Sequence, residues 1–464
     1  MTQFIVLLAI ALAVVAALIP TRGSRRAPIA PRTQVRPALL RHPIRPALPA
    51  AIQAIIQDGL LEAAFEQALV PQFLYPAAAE VAPVAGNVGQ RVTRTRTGLL
   101  TPKTTAITGS DPTASTISVE QYSGVLDQYG DSIDTNMLGS ATAQARLFTR
   151  NVQTLAIGAG QSLNRIARDR LYSVYAGGRT WVRTADGASN TTVDVQSVDG
   201  FETVIVNGVP TAVSGTNPLN ITINGVANTV TGVDRANRRL TLGTATTDTA
   251  GHAVVAANAP VSIRPNARAT ARDITTGDVA SLGLFHDAVA RLRAMNVPTM
   301  PDGTYHAHID SVTNRQLLND SEFRQMFQGL GESTSQIRQG LIGTVGNVTF
   351  YLNIEAPTVT GDGQTNIVRR PIVLGDEPLV NMPLENQGQL LDGTGVEDVP
   401  GISLAQAIPG VDGTEVVFIV RPPQDRLQQV VSASWAWTGD FCVPTDSTTG
   451  DAAIAKRAVV IEHL

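Results

Sequence analysis

The sequence has almost no cysteine and few charged side chains. Cys442 is its single cysteine, so no disulfide can form within the chain and no cysteine cluster can hold a metal. Charged residues make up 16% of the 464 residues, and the formal net charge is −4. Such a balance gives no overall attraction to nucleic acid or to a membrane surface. Lysine is also scarce, since every basic residue except Lys103 and Lys456 is an arginine.

The common catalytic motifs are absent as well. The sequence contains no G-x-x-x-x-G-K-[ST] phosphate loop, no H-E-x-x-H zinc motif and no G-x-S-x-G nucleophile motif. Cys442 lies between Phe441 and Val443, a setting that predicts a small buried residue rather than a nucleophile. The sequence therefore predicts neither an enzyme nor a bound cofactor or metal.

Residues 1–46 combine an apolar run with a basic segment. Phe4 to Ile19 is uninterrupted apolar text, and the next charged residues are all basic: Arg22, Arg25, Arg26, Arg32 and Arg36 are the first five. Three readings stay open, namely a signal anchor, a removable leader, and residues added by an upstream start codon. The arginines could neutralise DNA phosphates without reading sequence, although a solvated tail explains them equally well.

The next two segments predict a helix and a hairpin. Apolar residues from Ile52 to Leu69 recur at helical spacing, which predicts a helix within residues 47–75. Within residues 76–130, alternation in Arg91–Thr97 and in Thr116–Tyr122 predicts a long two-stranded hairpin with almost no apolar face. Such a hairpin needs a partner surface; the alternative is a loose surface loop.

The basic residues of this hairpin are candidate contacts between subunits. We expect Arg91, Arg94 and Arg96 to lie on one side of the strand and to form ion pairs with acids of a neighbouring copy, rather than with nucleic acid. Lys103 falls in the same hairpin. These four residues are the predicted inter-subunit contacts.

A long amphipathic segment follows at residues 131–178. Its apolar residues from Met137 to Val174 are spaced at about 3.7 residues, which predicts one continuous helix on the order of 60 Å long. Asp131, Ser132 and Asp134 offer side chains for its start, and Gly177-Gly178 a stop. We expect a rod that spans the subunit; a coiled coil is the alternative.

Residues 179–266 predict an inserted all-β domain, either a small barrel or a sandwich. Two segments echo each other, Asn207-Gly-Val-Pro-Thr-Ala-Val-Ser-Gly and Asn224-Gly-Val-Ala-Asn-Thr-Val-Thr-Gly. Each Asn-Gly pair is flanked by β-branched residues, which is a strong signal for a tight hairpin turn. No catalytic constellation lies in this segment.

The remainder predicts a mixed α+β body. A helix is expected within 267–300, then a strand Tyr305–Ile309 and a helix opened by Asp310, with further short strands in 301–421 and 422–464. His306, His308 and Asp310 alternate at a spacing that suits a metal site. The alternative, a polar strand face running into a helix cap, is favoured.

In its order of elements the chain resembles the major capsid proteins of tailed bacteriophages, which share the Hong Kong ninety-seven fold. The local likeness lies in Tyr305-His-Ala-His-Ile-Asp310 and in the glycine-spaced loop from Gly340 to Phe350. The resemblance implies that 76–130 is an extended loop reaching a neighbour and that 131–178 is the spine helix. It also implies that 267–300 and 422–464 belong to a peripheral domain and 301–421 mostly to an axial domain.

The implied function is a coat protein that assembles in the host cytoplasm as pentamers and hexamers into an icosahedral virion shell around double-stranded DNA. Scaffolding, portal and decoration proteins are implied partners, and a membrane is not. Some relatives cross-link a hairpin lysine to an asparagine, but only Lys103 can be assigned here. The competing hypothesis is an exported β-rich surface or adhesion protein anchored by Phe4–Ile19.

Overall fold

The structure is a computed structural model, and the described residues lie between 60 and 464. The gaps are residues 70–73, 87–88, 98–99, 101–102, 105–108, 110, 112–113, 118, 137–146, 186–188, 329–342, 361–365, 386–403, 410–413, 422, 424–425, 428 and 447–452. The apolar run Phe4–Ile19 and the five basic residues Arg22 to Arg36 lie outside them.

Five α-helices occur in the described part of the chain. They are α1 (Leu60–Leu69), α2 (Leu147–Tyr175), α3 (Leu282–Ala294), α4 (Ser311–Asn319) and α5 (Ser321–Gln328). Short 3-10 turns occupy Pro76–Ala78, Pro265–Ala267 and Ala271–Asp273. None of these helices is both long and apolar enough to cross a membrane.

The strands fall into three large sheets and three two-stranded pairs. The first twelve are β1 (Ala79–Val81), β2 (Arg91–Thr97), β3 (Val119–Val125), β4 (Asp127–Asn136), β5 (Arg179–Trp181), β6 (Asn190–Asp194), β7 (Thr203–Val206), β8 (Val209–Ala212), β9 (Leu219–Ile223), β10 (Val226–Asp234), β11 (Arg239–Thr246) and β12 (Ala253–Ala256). The others are β13 (Ser262–Ile263), β14 (Tyr305–Ile309), β15 (Thr344–Val345), β16 (Val348–Leu352), β17 (Thr358–Val359), β18 (Val368–Arg369), β19 (Ile372–Leu374), β20 (Leu379–Pro383), β21 (Leu404–Pro409), β22 (Glu415–Arg421), β23 (Val430–Cys442) and β24 (Ala458–Ile461).

The first sheet is built around the long strand β23. That strand pairs with β4, β20 and β22, while β1 and β21 lie at the outer edges. Helices α1 and α2 pack beside it, and α2 buries a stripe that includes Val152, Leu155, Ala159, Leu163 and Leu171. Phe65 of α1 lies 4.8 Å from Phe418 of β22, measured between ring centroids. The first sheet and these two helices therefore share one hydrophobic core.

The predicted helix over 131–178 is wrong in its first part. Residues Asp127–Asn136 form β4, which pairs in antiparallel register with Gly439 to Val430 of β23. Gly130 explains why this pairing fits, because a Cβ there would lie 2.6 Å from the carbonyl oxygen of Trp435. Asp131, Ser132 and Asp134 are strand residues, not helix caps. The predicted stop is confirmed, since α2 ends at Tyr175 and Gly178 has a φ of 72°.

The second sheet closes into a small barrel. Its strand order is β5-β12-β9-β10-β11-β6, and a bridge between Val182 and Val195 joins the two outer strands. The Arg183 amide donates to the Asp194 carbonyl at 2.8 Å across this seam. Inward-facing residues form a separate core, including Val193, Val195, Phe201, Leu219, Ile221, Ile223, Val230, Leu240, Leu242 and Val254. The expected all-β character of this segment is confirmed, and a barrel rather than a sandwich is formed.

The third sheet carries the strand-and-helix unit that the sequence predicts. Its order is β13-β24-β19-β14-β16-β15, with α3 packed against β24. The Asp310 side chain accepts a hydrogen bond from the Thr313 amide at 3.0 Å and thus caps α4, as predicted. With five helices and twenty-four strands in the described residues, the α+β class is confirmed.

Candidate assembly interface

The candidate interface is built on the ribbon formed by β2 and β3. The two strands pair in antiparallel register from Arg91 opposite Val125 to Thr97 opposite Val119. This confirms the predicted hairpin, whose polar alternation gives it no core of its own. The ribbon is therefore held by what it contacts on either side.

The arginines of β2 are divided between the two faces of the ribbon. Side chains alternate along a strand, so Arg94 and Arg96 share one face and Arg91 takes the other. Arg91 contacts Ser123 Oγ at 3.3 Å, whereas Arg94 Nη2 donates to the carbonyls of Ala82 and Pro83 at 3.0 Å. The expectation that all three face one side is wrong for Arg91, because Arg94 is three positions further along the strand and an odd offset places two side chains on opposite faces.

Arg96 connects the ribbon to the first sheet through a carboxylate. Its Nη2 lies 3.5 Å from Glu377 Oε2, and Arg457 Nη1 lies 2.6 Å from the same oxygen. Burial raises the pKa of Glu377 above its usual value, and the nearby Glu80 and Asp376 add to this effect. Sequence reasoning missed Glu377, which follows a short predicted strand and belongs to no motif. The φ of Glu377 is 47°, in the left-handed region, and nothing in the sequence predicts that conformation either.

A polar cleft of about 490 Å³ lies beside these ion pairs. Its lining consists of Glu80, Thr93, Arg94, Thr95, Arg96, Tyr122, Glu377, Val380 and Pro444. Two arginines and two carboxylates nearly cancel in charge. The ribbon therefore lies over a polar gap and is attached to the first sheet at separate points.

The base of the ribbon is attached more closely. Tyr122 and Val92 pack on a small apolar cluster that contains Val380 and Met382. A Cβ at Gly124 would lie 2.0 Å from the Met382 methyl carbon, so any larger residue would force the Met382 side chain to move. The Val125 amide donates to Asp440 Oδ2 at 2.9 Å. This end of the ribbon is thus fixed to its own chain.

The far end of the ribbon carries exposed apolar side chains. Leu100 is 51% exposed, Ile117 57% and Val119 48%. Leu100 and Ile117 lie beyond the last strand pair, Thr97 with Val119. Large apolar side chains grouped on a segment without its own core are typical of a contact with another protein.

The other predicted site residues have varied surroundings. Lys103 is exposed in the segment that joins β2 to β3. Arg94 and Arg96 have partners within their own chain, so a contact between these residues and a neighbouring copy stays a prediction. Arg22, Arg25, Arg26, Arg32 and Arg36 lie outside the described residues.

The alternating histidines do not converge with Asp310. His306 Nε2 lies 2.7 Å from Asp302 Oδ2, while His308 is buried between the rings of Tyr75 and Tyr351. Burial lowers the pKa of His308 to about 3, so it is neutral near pH 7. Among the described residues, no group of three or more His, Cys, Asp or Glu side chains could hold a metal ion. The favoured reading of a helix cap is confirmed for Asp310.

Cys442 is buried beside Met382, with 3.9 Å between the two sulfur atoms. Burial raises the pKa of its thiol to about 12, and the adjacent Asp440 carboxylate acts in the same direction. A thiol with so high a pKa is a poor nucleophile. The prediction of a small buried residue is confirmed.

No family model and no curated protein matches the chain. Three solved structures that are similar to it come from phage capsids. The capsid of Ralstonia phage GP4 has a TM-score of 0.47 and 11% identity, covering 85% of this chain and 92% of its own. The cyanophage Pam1 capsid asymmetric unit has a TM-score of 0.45 and 10% identity, and the match covers 82% of this chain and 86% of that one. The capsid of cyanophage P-SCSP1u has a TM-score of 0.43 and 8% identity, and the match covers 84% of this chain and 88% of that one. Each of these three matches covers more than 80% of this chain.

Proposed function

We propose that the chain is the major capsid protein of a tailed phage, a structural protein of the virion shell. Copies associate as pentamers and hexamers into a closed icosahedral lattice that encloses double-stranded DNA. The order of elements supports this function: a polar ribbon, a long amphipathic helix, an inserted β domain and a compact α+β body occur in that sequence along the chain.

The exposed far end of the ribbon is the observation on which the proposal depends. Leu100, Ile117 and Val119 are exposed in the single chain, while the base of the ribbon is fixed by Gly124 and Asp440. A segment anchored at one end and apolar at the other is suited to reach a second copy. In a closed lattice every copy both gives and receives such a contact, so modest contacts are multiplied.

The remaining partners follow from the charge of the chain. Arg22, Arg25, Arg26, Arg32 and Arg36 supply the only dense basic segment, which suits contact with DNA phosphates without sequence readout. Arg91, Arg94, Arg96 and Lys103 would supply polar contacts at the ribbon interface. Assembly in the host cytoplasm with scaffolding, portal and decoration proteins completes the proposal.

Two ribbon substitutions test the proposal directly. We expect the purified full-length chain to form closed shells visible by negative-stain electron microscopy. Replacing Leu100 and Ile117 together by Asp places charges in the contact, so the double variant should stay unassembled yet keep its far-ultraviolet circular dichroism spectrum. Val226→Asp is the matched control, since Val226 is 64% exposed at a turn of the barrel, and its shells should form normally.

If the unaltered chain stayed monomeric at every concentration tested, the proposed shell would be refuted. Normal shells from the Leu100 and Ile117 double variant would remove the ribbon from the interface. The rival hypothesis, an anchored surface protein, is separated by deleting residues 1–46. A shell protein should still assemble after the deletion, whereas an anchored protein should lose its membrane association.

A further inference from the structure

The inserted domain contains two hairpin turns of the same sequence and shape, one in the separate pair β7–β8 and one in the barrel sheet. Asn207-Gly208 joins β7 to β8, and Asn224-Gly225 joins β9 to β10. The φ angles are 51° and 80° in the first turn, and 48° and 81° in the second. Positive φ at both central residues is what a tight turn of this kind requires. The two turns are therefore equivalent in backbone conformation.

Their surroundings differ completely. A Cβ at Gly208 would lie 2.2 Å from the carbonyl oxygen of Val119 in the ribbon, whereas nothing lies within 4 Å of a Cβ at Gly225. The Gly208 carbonyl also accepts a hydrogen bond from the Gln121 amide at 2.7 Å. Glycine at 208 thus serves both the turn and a close approach to β3, while glycine at 225 serves the turn alone.

The outer edge of β3 is held at this same residue from a second side. Thr445 Oγ1 donates to the carbonyl oxygen of Gln121 at 3.2 Å. Both main-chain groups of Gln121 therefore bond outside the ribbon, the amide to the β7–β8 hairpin and the carbonyl to the segment after β23. A two-stranded ribbon normally leaves the groups on its outer edges unpaired, so this contact restrains the ribbon where its pairing cannot.

We infer that the Asn207-Gly208 turn of the β7–β8 pair braces the ribbon and so gives the inserted domain a function within the subunit. The brace fixes the direction of β3 at Gln121, next to the exposed residues Val119 and Ile117, which precede it in the chain. The contact itself is internal to one chain. Its consequence for assembly rests on the proposed shell function, because a fixed ribbon presents its apolar end to a neighbour with less loss of conformational freedom.

Gly208→Ala and Gly225→Ala form a matched pair of tests. Both place a Cβ at a left-handed φ, so the strain within the turn is common to both. Only Gly208→Ala drives that Cβ into Val119. Hydrogen exchange of the full-length, unassembled protein, read by mass spectrometry over residues 91–97, should be about tenfold faster in Gly208→Ala and unchanged in Gly225→Ala.

Gln121→Pro tests the same contact from the ribbon side and leaves the β7–β8 turn intact. Proline removes the amide that donates to Gly208. Because that amide points away from β2, the pairing within the ribbon is kept, and exchange over residues 91–97 should again accelerate. Equal exchange in Gly208→Ala and Gly225→Ala, or unaltered exchange in Gln121→Pro, would overturn the brace.

Electron microscopy of the same variants separates the brace from the shell. Fewer or misshapen shells are expected from Gly208→Ala and normal shells from Gly225→Ala. Faster exchange in a protein that never forms shells would leave the brace intact and refute the proposed function. Normal exchange in all variants of a protein that forms shells would refute the brace and leave the proposed function intact.

Discussion

The barrel and the ribbon are both built from hairpins but reach stability by different routes. Barrel strands such as β9 and β11 alternate polar residues with leucine or isoleucine, whereas β2 alternates arginine with threonine. The barrel closes through Val182 and Val195 and so gains an inside, where Phe201 and Val193 are fully buried. The ribbon has two strands and no inside, so its side chains are exposed unless another element covers them. An apolar face and closure of the sheet together decide which segment can stand alone.

The largest expected effect is in the barrel core. Phe201→Ala should reduce the free energy of unfolding of the barrel by about 3–5 kcal/mol, because it removes a fully buried aromatic ring and leaves a cavity. Tyr122→Ala in the ribbon should cost about 1–2 kcal/mol, since Tyr122 is only half-buried in a small cluster. Urea-dependent hydrogen exchange over residues 190–256 and 91–125 measures both.

Phe201→Ala should leave exchange in the ribbon base nearly unchanged, because that base packs through Gly124 on Met382 and donates from Val125 to Asp440, and both of these partners belong to the first sheet. Comparable losses in both segments for either variant would mean that the barrel and the ribbon unfold as one cooperative unit. The contrast between a barrel stabilised by its own core and a ribbon stabilised by contacts with other elements would then be wrong.

Local sequence signals predicted most of the elements whose stability is local. The strand Tyr305–Ile309, the cap at Asp310 and the Asn-Gly turns at 207 and 224 occur where the sequence places them. Each has its cause within a few residues: alternation, a capping carboxylate, or positive φ. The two strands of the ribbon were also predicted from their alternation, although the second runs over Val119–Val125 rather than Thr116–Tyr122.

What failed was decided by distant residues. Asp127–Asn136 is polar and contains Gly130, so no local signal marks it as a strand; its conformation comes from pairing with β23. The same applies to the candidate interface. Glu377 and Gly208 lie far from the ribbon in sequence, and neither their partners nor the different roles of two identical turns can be read from the chain alone.

The smallest expected effects are electrostatic, and they should have opposite signs in the two segments. In the barrel, the hydrogen bond from Arg239 lowers the pKa of Asp194, with 2.6 Å between Arg239 Nε and Asp194 Oδ1. Under the ribbon, burial raises the pKa of Glu377. A carboxylate with a lowered pKa stabilises the folded state above its unfolded pKa, whereas one with a raised pKa favours the folded state as it becomes protonated.

Asp194→Asn should therefore reduce barrel stability at pH 7 by about 0.2–1 kcal/mol, as is usual for a partly exposed ion pair. The difference from the unaltered chain should vanish as pH falls below the usual aspartate pKa and through the lowered folded value. Hydrogen exchange over residues 190–194 and 239–246, corrected for intrinsic rates, is the measurement. A difference that persists once Asp194 is protonated in the folded state would contradict the assignment to charge.

For the ribbon the pH dependence should run the other way. As pH falls from 7 toward 4, Glu377 takes up a proton more readily when it is buried than when the ribbon opens, so opening should become less favourable. Exchange over residues 91–97, corrected for intrinsic rates, should therefore slow. Glu377→Gln cannot titrate and should remove this slope while Arg457 keeps its bond to the Asp376 carbonyl at 2.7 Å. If ribbon exchange instead accelerated on acidification and Glu377→Gln abolished that change, the attraction of Arg96 and Arg457 would outweigh burial. The ribbon would then be held mainly by its ion pairs, whereas the barrel is held mainly by its apolar core.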